Sequence, residues 1–149
     1  MKIRADVELA NLTDIGHARS ENEDYYCYIE PESDEEFERK GRLIAVADGM
    51  GGHAGGQIAS TLALDSLRSV FENSGASDPA EILISGFASA QQSILAHTES
   101  NPELDGMGTT CTAAILQSGH LSYGHIGDSR LYLFHAGRFD QITVDHSLV

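Results

Sequence analysis

The apolar residues of this chain change their period along its length, and each period predicts an element. Ile3, Ala5, Val7 and Leu9 alternate with polar neighbours, the two-residue period of a strand with one face buried. The stretch NLTDIGHARSENED that follows is polar and turn-rich, hence a loop. DYYCYIE is aromatic and predicts a second strand. PESDEEFERKG reads as a charged, mobile linker, a solvated hairpin tip. RLIAVAD predicts a third strand, apolar enough to be buried on both faces.

The period then lengthens to that of a helix. From about Gln57 to Glu72, Ile58, Leu62, Leu67 and Phe71 recur near helical spacing, and Gly75 fits the break after them. A second helix starts at Asp78-Pro79-Ala80-Glu81. There Asp78 can cap, Pro79 suits the first helical position and Glu81 can complete a capping box. It runs to about Thr98, with Ile82, Phe87, Ile94 and Leu95 as core candidates and Pro102 beyond its end. The last third turns to strands: GTTCTAAILQ, LSYGHIG, RLYLFHA and RFDQIT, with tight turns at Ser118-Gly119 and Ala136-Gly137. Strands on both sides of a helical pair predict an α+β domain with antiparallel sheets, not alternating βαβ units. Asp145-His146-Ser147 reads as a helix start, with Leu148 and Val149 as its first apolar residues. So short a helix does not stand alone. The expectation is a chain that stops inside an element and forms part of a longer protein.

Composition narrows the partners. The 149 residues suit one domain or part of one. A formal charge of −14 argues against a nucleic-acid backbone and against anionic membrane surfaces. No apolar run approaches the ~20 residues of a spanning helix, and Asp6 and Glu8 interrupt any signal-like N-terminus. These features place the expected location in the cytoplasm. Cys27 and Cys111 are isolated, with no C-x-x-C pair, and read as two reduced thiols.

The chemistry gathers at VADGMGGHAGGQ, residues 46–57, where one carboxylate, Asp48, stands among five glycines. A phosphate loop has Lys and then Ser or Thr after its last glycine, whereas Gln57 and Ile58 stand here. Gly49, Gly51 and Ala54 fit a loose dinucleotide fingerprint, but the helix after them leads into another helix, not a second parallel strand. A metal site needs a carboxylate on a rigid strand end and glycines that let ions and phosphate approach the backbone. The plainer alternative is a Gly-rich turn that Asp48 caps. Other acids favour the metal: Glu23 and Asp24 in RSENEDYY and Asp128 in HIGDSRLYLF occupy two further strand junctions. Hard cations such as Mg²⁺ and Mn²⁺ take such oxygen ligands. Arg19, near the first acidic pair, can either pair with a carboxylate or hold a phosphate bidentately.

Taken together and in this order, RSENEDYY, VADGMGGHAGG, MGTTCTAAIL, HIGDSRLYLF and TVDHSLV resemble the metal-dependent protein serine/threonine phosphatases of type 2C, the PPM family, in their bacterial form. The likeness covers Asp14 to Val149. It implies an antiparallel β-sandwich flanked by helices on both outer faces, with residues 1–149 as the N-terminal part of one catalytic domain. By this resemblance Asp48 would bridge two Mn²⁺ or Mg²⁺ ions and the Gly49 carbonyl would bind the second. Glu23 and Asp24 would hold metal-bound waters, Asp128 would serve a third ion, and Arg19 would grip the substrate phosphate. Thr109 and Thr110 match a strand near the site and look structural. The implied reaction is attack of a metal-activated water on phosphoserine or phosphothreonine in proteins, a signalling role with a cognate serine/threonine kinase as partner.

Two departures qualify the likeness. Met50 stands where some members carry a histidine, and neither His53 nor His146 has a warrant as general acid. The family's later metal-binding aspartates, in Ser-Asp-Gly and Asp-Asn motifs, have no counterpart after Asp128, for Asp140 and Asp145 do not match them. The isolated chain is therefore expected to be weakly active or inactive. The alternative is a non-catalytic phosphoprotein-binding or regulatory module. A serine hydrolase built on Ser129 is opposed by G-D-S-R, which lacks the spacing of a nucleophile elbow.

Overall fold

A computed structural model describes residues 3–147. Its elements are β1 (Asp24–Ile29), α1 (Asp34–Lys40), β2 (Arg42–Met50), α2 (Gly55–Asn73), α3 (Pro79–Ser100), β3 (Gly108–Thr109), β4 (Cys111–Gln117), β5 (His120–Ile126), β6 (Tyr132–His135) and β7 (Arg138–Gln141). Strands β1, β2, β4 and β5 lie side by side in that order, all antiparallel, and β3 pairs with the far end of β2. β6 and β7 form a separate hairpin. The mixed helix and antiparallel-sheet class is the expected one. Both predicted hairpin turns are present, with positive φ at Ser118-Gly119 and Ala136-Gly137.

The two long helices cover one face of the sheet. Leu64, Leu67 and Phe71 of α2 and Ile82 and Leu83 of α3 pack on Cys27, Ile29, Leu43, Ala45, Ala47, Ala113 and Ile115. The other face is open: Tyr26, Ile44, Val46, Leu116 and Tyr123 are all exposed there. The reading of RLIAVAD as buried on both faces is therefore corrected. Leu43 and Ala45 are sealed under the helices, while Ile44 is 37% and Val46 40% exposed on the opposite side. A continuous apolar run records that both faces suit burial, not that both are covered.

Four further expectations are corrected. Ile3 to Leu9 is not a strand. A strand needs a ladder partner, and this segment is held by its side chains instead. The Arg4 guanidinium donates to the Glu30 carboxylate, the Pro31 carbonyl and Asp34, and Arg42 donates to Asp6. The charged linker contains helix α1. Ser33 Oγ accepts from the Glu36 N–H at 3.1 Å, acids fill the first turn and Arg39 and Lys40 the last, which suits the helix dipole. Lys40 is buried and donates to the carbonyls of Phe71 and Glu72, closing the C-terminal end of α2. In α3, Asp78 Oδ1 accepts from the Ala80 N–H as expected, and Ile82 is buried. Leu95, however, is 52% exposed. It lies three turns after the exposed Ile84, on the face turned away from the core. Asp145 to Ser147 is not helical, and Leu148 and Val149 lie outside the described residues. Among the described residues no helix is long and apolar enough to cross a membrane.

Candidate active site

Asp48 sits near the end of β2 on the open face, directly opposite Asp24 of β1 in the ladder. One residue clamps its backbone from both sides. The Asp48 N–H donates to Thr110 Oγ1 at 2.9 Å, and the Thr110 N–H donates to the Asp48 carbonyl at 2.9 Å. The next peptide is held by the neighbouring loop, where the Gly49 N–H donates to the Glu23 carbonyl at 3.0 Å. Asp24 begins β1 from a local turn in which its N–H donates to Asn22 Oδ1.

The glycines after Asp48 serve a close backbone approach. A Cβ on Gly49 would stand 1.8 Å from the Gly56 carbonyl oxygen. A Cβ on Gly56 would stand 2.4 Å from the Glu23 carboxylate. The end of β2, the first turn of α2 and Glu23 thus meet with no room for a side chain at Gly49 or Gly56, the two glycines of the run that this approach requires.

The electrostatics are those of crowded carboxylates. Partial desolvation raises the Asp48 carboxyl above its ordinary value, the charge and hydrogen bond of Asp24 add to this, and Asp128 adds more from the β5–β6 loop. Arg19 pulls in the other direction. Its guanidinium pairs with the Glu23 carboxylate. Asp14, Arg19, Glu23, Asp24 and Asp48 border an open cavity of about 230 Å³. Among the described residues, no three Asp, Glu, His or Cys side chains converge to hold an ion by themselves. The structure therefore brings Asp24, Asp48, Glu23 and Arg19 together and leaves Asp128 as an outlying charge.

Two residues matter more than their sequence suggested. Ser129 Oγ lies 2.6 Å from Thr110 Oγ1, so the residue set aside as a nucleophile joins the clamp on Asp48. Thr110 itself is structural, as read, but its structural task is Asp48. No local motif marks this pair, because 19 residues separate them. His146 packs at the β5–β6 loop: its Nδ1 accepts from the Gly127 N–H, and its ring lies 4.9 Å from that of His125. Cys27 and Cys111 are free and buried, and burial pushes their thiols up to about 11 and about 12.

Known proteins resemble this chain in sequence and in fold. The profile of the family described as Protein phosphatase 2C matches residues 10–148. The serine/threonine protein phosphatase PstP of Mycobacterium tuberculosis is 42% identical over 108 residues, covering 72% of this chain and 21% of that protein. The serine/threonine phosphatase stp of Listeria monocytogenes is 36% identical over 141 residues, 92% of this chain and 54% of that one. A solved catalytic domain of PstP in complex with two manganese ions superposes with a TM-score of 0.75 at 38% identity, covering 89% of this chain and 53% of that structure. Stp1 from Staphylococcus aureus gives a TM-score of 0.78 at 31% identity, with 91% and 52% covered. The chain thus spans between about a fifth and a little over half of the length of these relatives.

Proposed function

The chain belongs to the protein phosphatase 2C family, and from that premise we propose that it serves metal-dependent hydrolysis of phosphoserine and phosphothreonine in proteins. The observation that carries this reading is the Asp24–Asp48 carboxylate pair, set across a strand pair at the rim of an open cavity. Family membership favours hydrolysis over a non-catalytic phosphoprotein module. Phosphorylated proteins are then the substrates, a cognate kinase the natural opposing partner, and signal transduction in the cytoplasm the setting.

The donor set fits a hard divalent cation. Its side-chain ligands are all carboxylate oxygens, and the like charges that add to partial desolvation in raising the Asp48 carboxyl are what a cation would offset. Asp48 and the Gly49 carbonyl would hold Mn²⁺ or Mg²⁺ directly, Glu23 and Asp24 would act through water, and Asp128 would serve a further ion. Such ions polarise phosphoryl oxygens and activate water. The chain supplies the rest. Arg19 is largely exposed, so its ion pair with Glu23 is weak, and it can exchange that partner for two phosphoryl oxygens. The Gly49–Gly56 contact fixes the backbone beside Asp48. Thr110 holds the Asp48 peptide, so the carboxylate is aimed before substrate arrives.

Manganese titration of the 149-residue chain by calorimetry tests the reading, beside Asp48→Asn. We expect uptake by the parent chain and at least about a tenfold loss of affinity in the variant. A parent chain that takes up no manganese overturns the proposal. Hydrolysis of p-nitrophenyl phosphate with Mn²⁺ should be slow, because too few carboxylates converge on Asp48. Robust turnover would show that the ligand set suffices.

A further inference from the structure

We propose that Thr110 and Ser129 form a positioning element that holds the Asp48 and Asp128 segments in fixed relation, an inference that rests on the phosphatase reading and deepens it. Asp48 lies on β2 and Asp128 in the loop after β5, and no ladder joins those two strands. Thr110, between β3 and β4, bridges them. It grips the Asp48 peptide through both its hydroxyl and its N–H. Its hydroxyl also lies 2.6 Å from that of Ser129, the residue next to Asp128.

The proton count is consistent. Thr110 Oγ1 accepts from Asp48, which leaves its own proton, or its second lone pair, for Ser129. Thr112, two residues further along, donates its hydroxyl to the Ser129 carbonyl at 2.6 Å. Ser129 is thus held by side chain and main chain at once. The same threonine face presses on the loop, for a Cβ on Gly127 would stand 2.6 Å from the Thr110 Cγ2 methyl. A shift of Ser129 would therefore reach Asp48 through a single side chain. Acid sites tolerate little such movement, because ligand geometry must hold within about half an ångström.

The molecule contains its own control. Ser66 and Ser93 join α2 and α3 through a hydroxyl pair at 2.8 Å, remote from any of these acids. Losing that pair removes the same chemistry without touching the acids.

The test uses the whole chain with Thr110→Val, which keeps the branched shape, Thr110→Ser, which keeps the hydroxyl, Ser129→Ala and the control Ser66→Ala. Two readouts are taken: hydrogen exchange of the Asp48 amide with the amide shift of Asp128, and manganese affinity by calorimetry. We expect Thr110→Val to speed Asp48 exchange, move the Asp128 resonance and weaken manganese about tenfold. Thr110→Ser should restore all three. Ser129→Ala should move the Asp128 resonance and weaken manganese by a smaller factor, and Ser66→Ala should change neither. If Thr110→Val does not fold, Ser129→Ala decides. Unchanged Asp128 shift and manganese affinity in Ser129→Ala, or failure of Thr110→Ser to rescue, overturns the proposal. A parent chain that takes up no manganese refutes the phosphatase reading instead, and the two amides still decide whether Thr110 couples the segments.

Discussion

The two faces of the β1-β2-β4-β5 sheet share the same strands and do different work. Under α2 and α3 the face is apolar and sealed, with Leu43, Leu64 and Ile115 fully out of water. The other face carries Asp24 and Asp48 among exposed Tyr26, Ile44 and Val46. Neighbours along one strand therefore belong to different regimes. Ile115 is 0% exposed and Leu116, the next residue, 42%. Asp48 lies on the open side, and Gly49 is buried against α2. The difference separates the sources of order. The helix face is held by dispersion and burial, while the acid face is held by ladders, Thr110 and charge. Substitutions that respect or cross this division test it.

The largest effect is expected inside the sealed face. Ile115→Ala leaves a cavity beneath the two helices and should cost about 2–5 kcal/mol of unfolding free energy. Urea denaturation measures it. The affinity for manganese in the folded fraction should change little, because Ile115 touches none of the acids. A loss below about 1 kcal/mol would mean that the helix face is not where stability resides.

Gly49→Ala breaks the division at the point where the faces meet. Its Cβ would fall 1.8 Å from the Gly56 carbonyl, a backbone atom that cannot swing aside. Displacing the first turn of α2 should cost about 1–3 kcal/mol. Unlike Ile115→Ala, it should also weaken manganese, because Glu23 and Asp48 move with that turn. Thermal melting and calorimetry on the same variant separate the two losses.

Much of this organisation was legible in the sequence, and the parts that were not share a cause. α2 and α3 announced themselves because each carries its own periodicity, cap or break. The hairpin turns did so because Ser118-Gly119 and Ala136-Gly137 state their geometry locally. Ile3 to Leu9 misled, since alternation shows what a strand would bury but not whether another strand lies beside it. Helix α1 was hidden by its charge, although Ser33-x-x-Glu36 is a capping signature. At the site, the order of the motifs identified Asp48, Glu23, Asp24 and Arg19 as a group, and the fold does assemble them. Thr110 and Ser129 could not be paired in advance. Their contact exists only once β4 and β5 are laid side by side and the loop after β5 folds back.

A smaller effect is expected at a sealed corner of the open side. There Glu30 is enclosed by Arg4, Arg42 and Tyr28. Burial alone would raise the Glu30 carboxyl, but hydrogen bonds from Arg4 and Tyr28 outweigh it, and the group lies below its ordinary 4.5. Because the folded value is depressed, the stabilisation is complete above the unfolded value. It is lost as pH falls through about 4.5 toward the folded value. The thermal midpoint should therefore drop on acidification across that window. Glu30→Gln should flatten the dependence there. An equally steep acid limb in the variant would assign it to other carboxylates, such as Asp6 and Asp145. Ser33→Ala, which removes the cap of α1, should cost about 1 kcal/mol by denaturation at neutral pH.

The smallest effect sharpens the comparison most. Leu116→Ala changes the residue beside Ile115 on the same strand, and both residues pair with β2 on one side and β5 on the other. Backbone propensity and strand pairing are thus nearly matched between the two variants, and only the face differs. Since Leu116 keeps 42% of its surface in water, truncating it should cost at most about 1 kcal/mol. Denaturation at two protein concentrations gives the measurement its force. A small, concentration-independent loss means that the acid-bearing face stands open to solvent in the free chain. A loss approaching that of Ile115→Ala would mean that the face is covered in solution, and a midpoint that rises with concentration would identify the cover as a second copy of the chain. The acids would then sit in a closed seam between copies instead of an accessible rim.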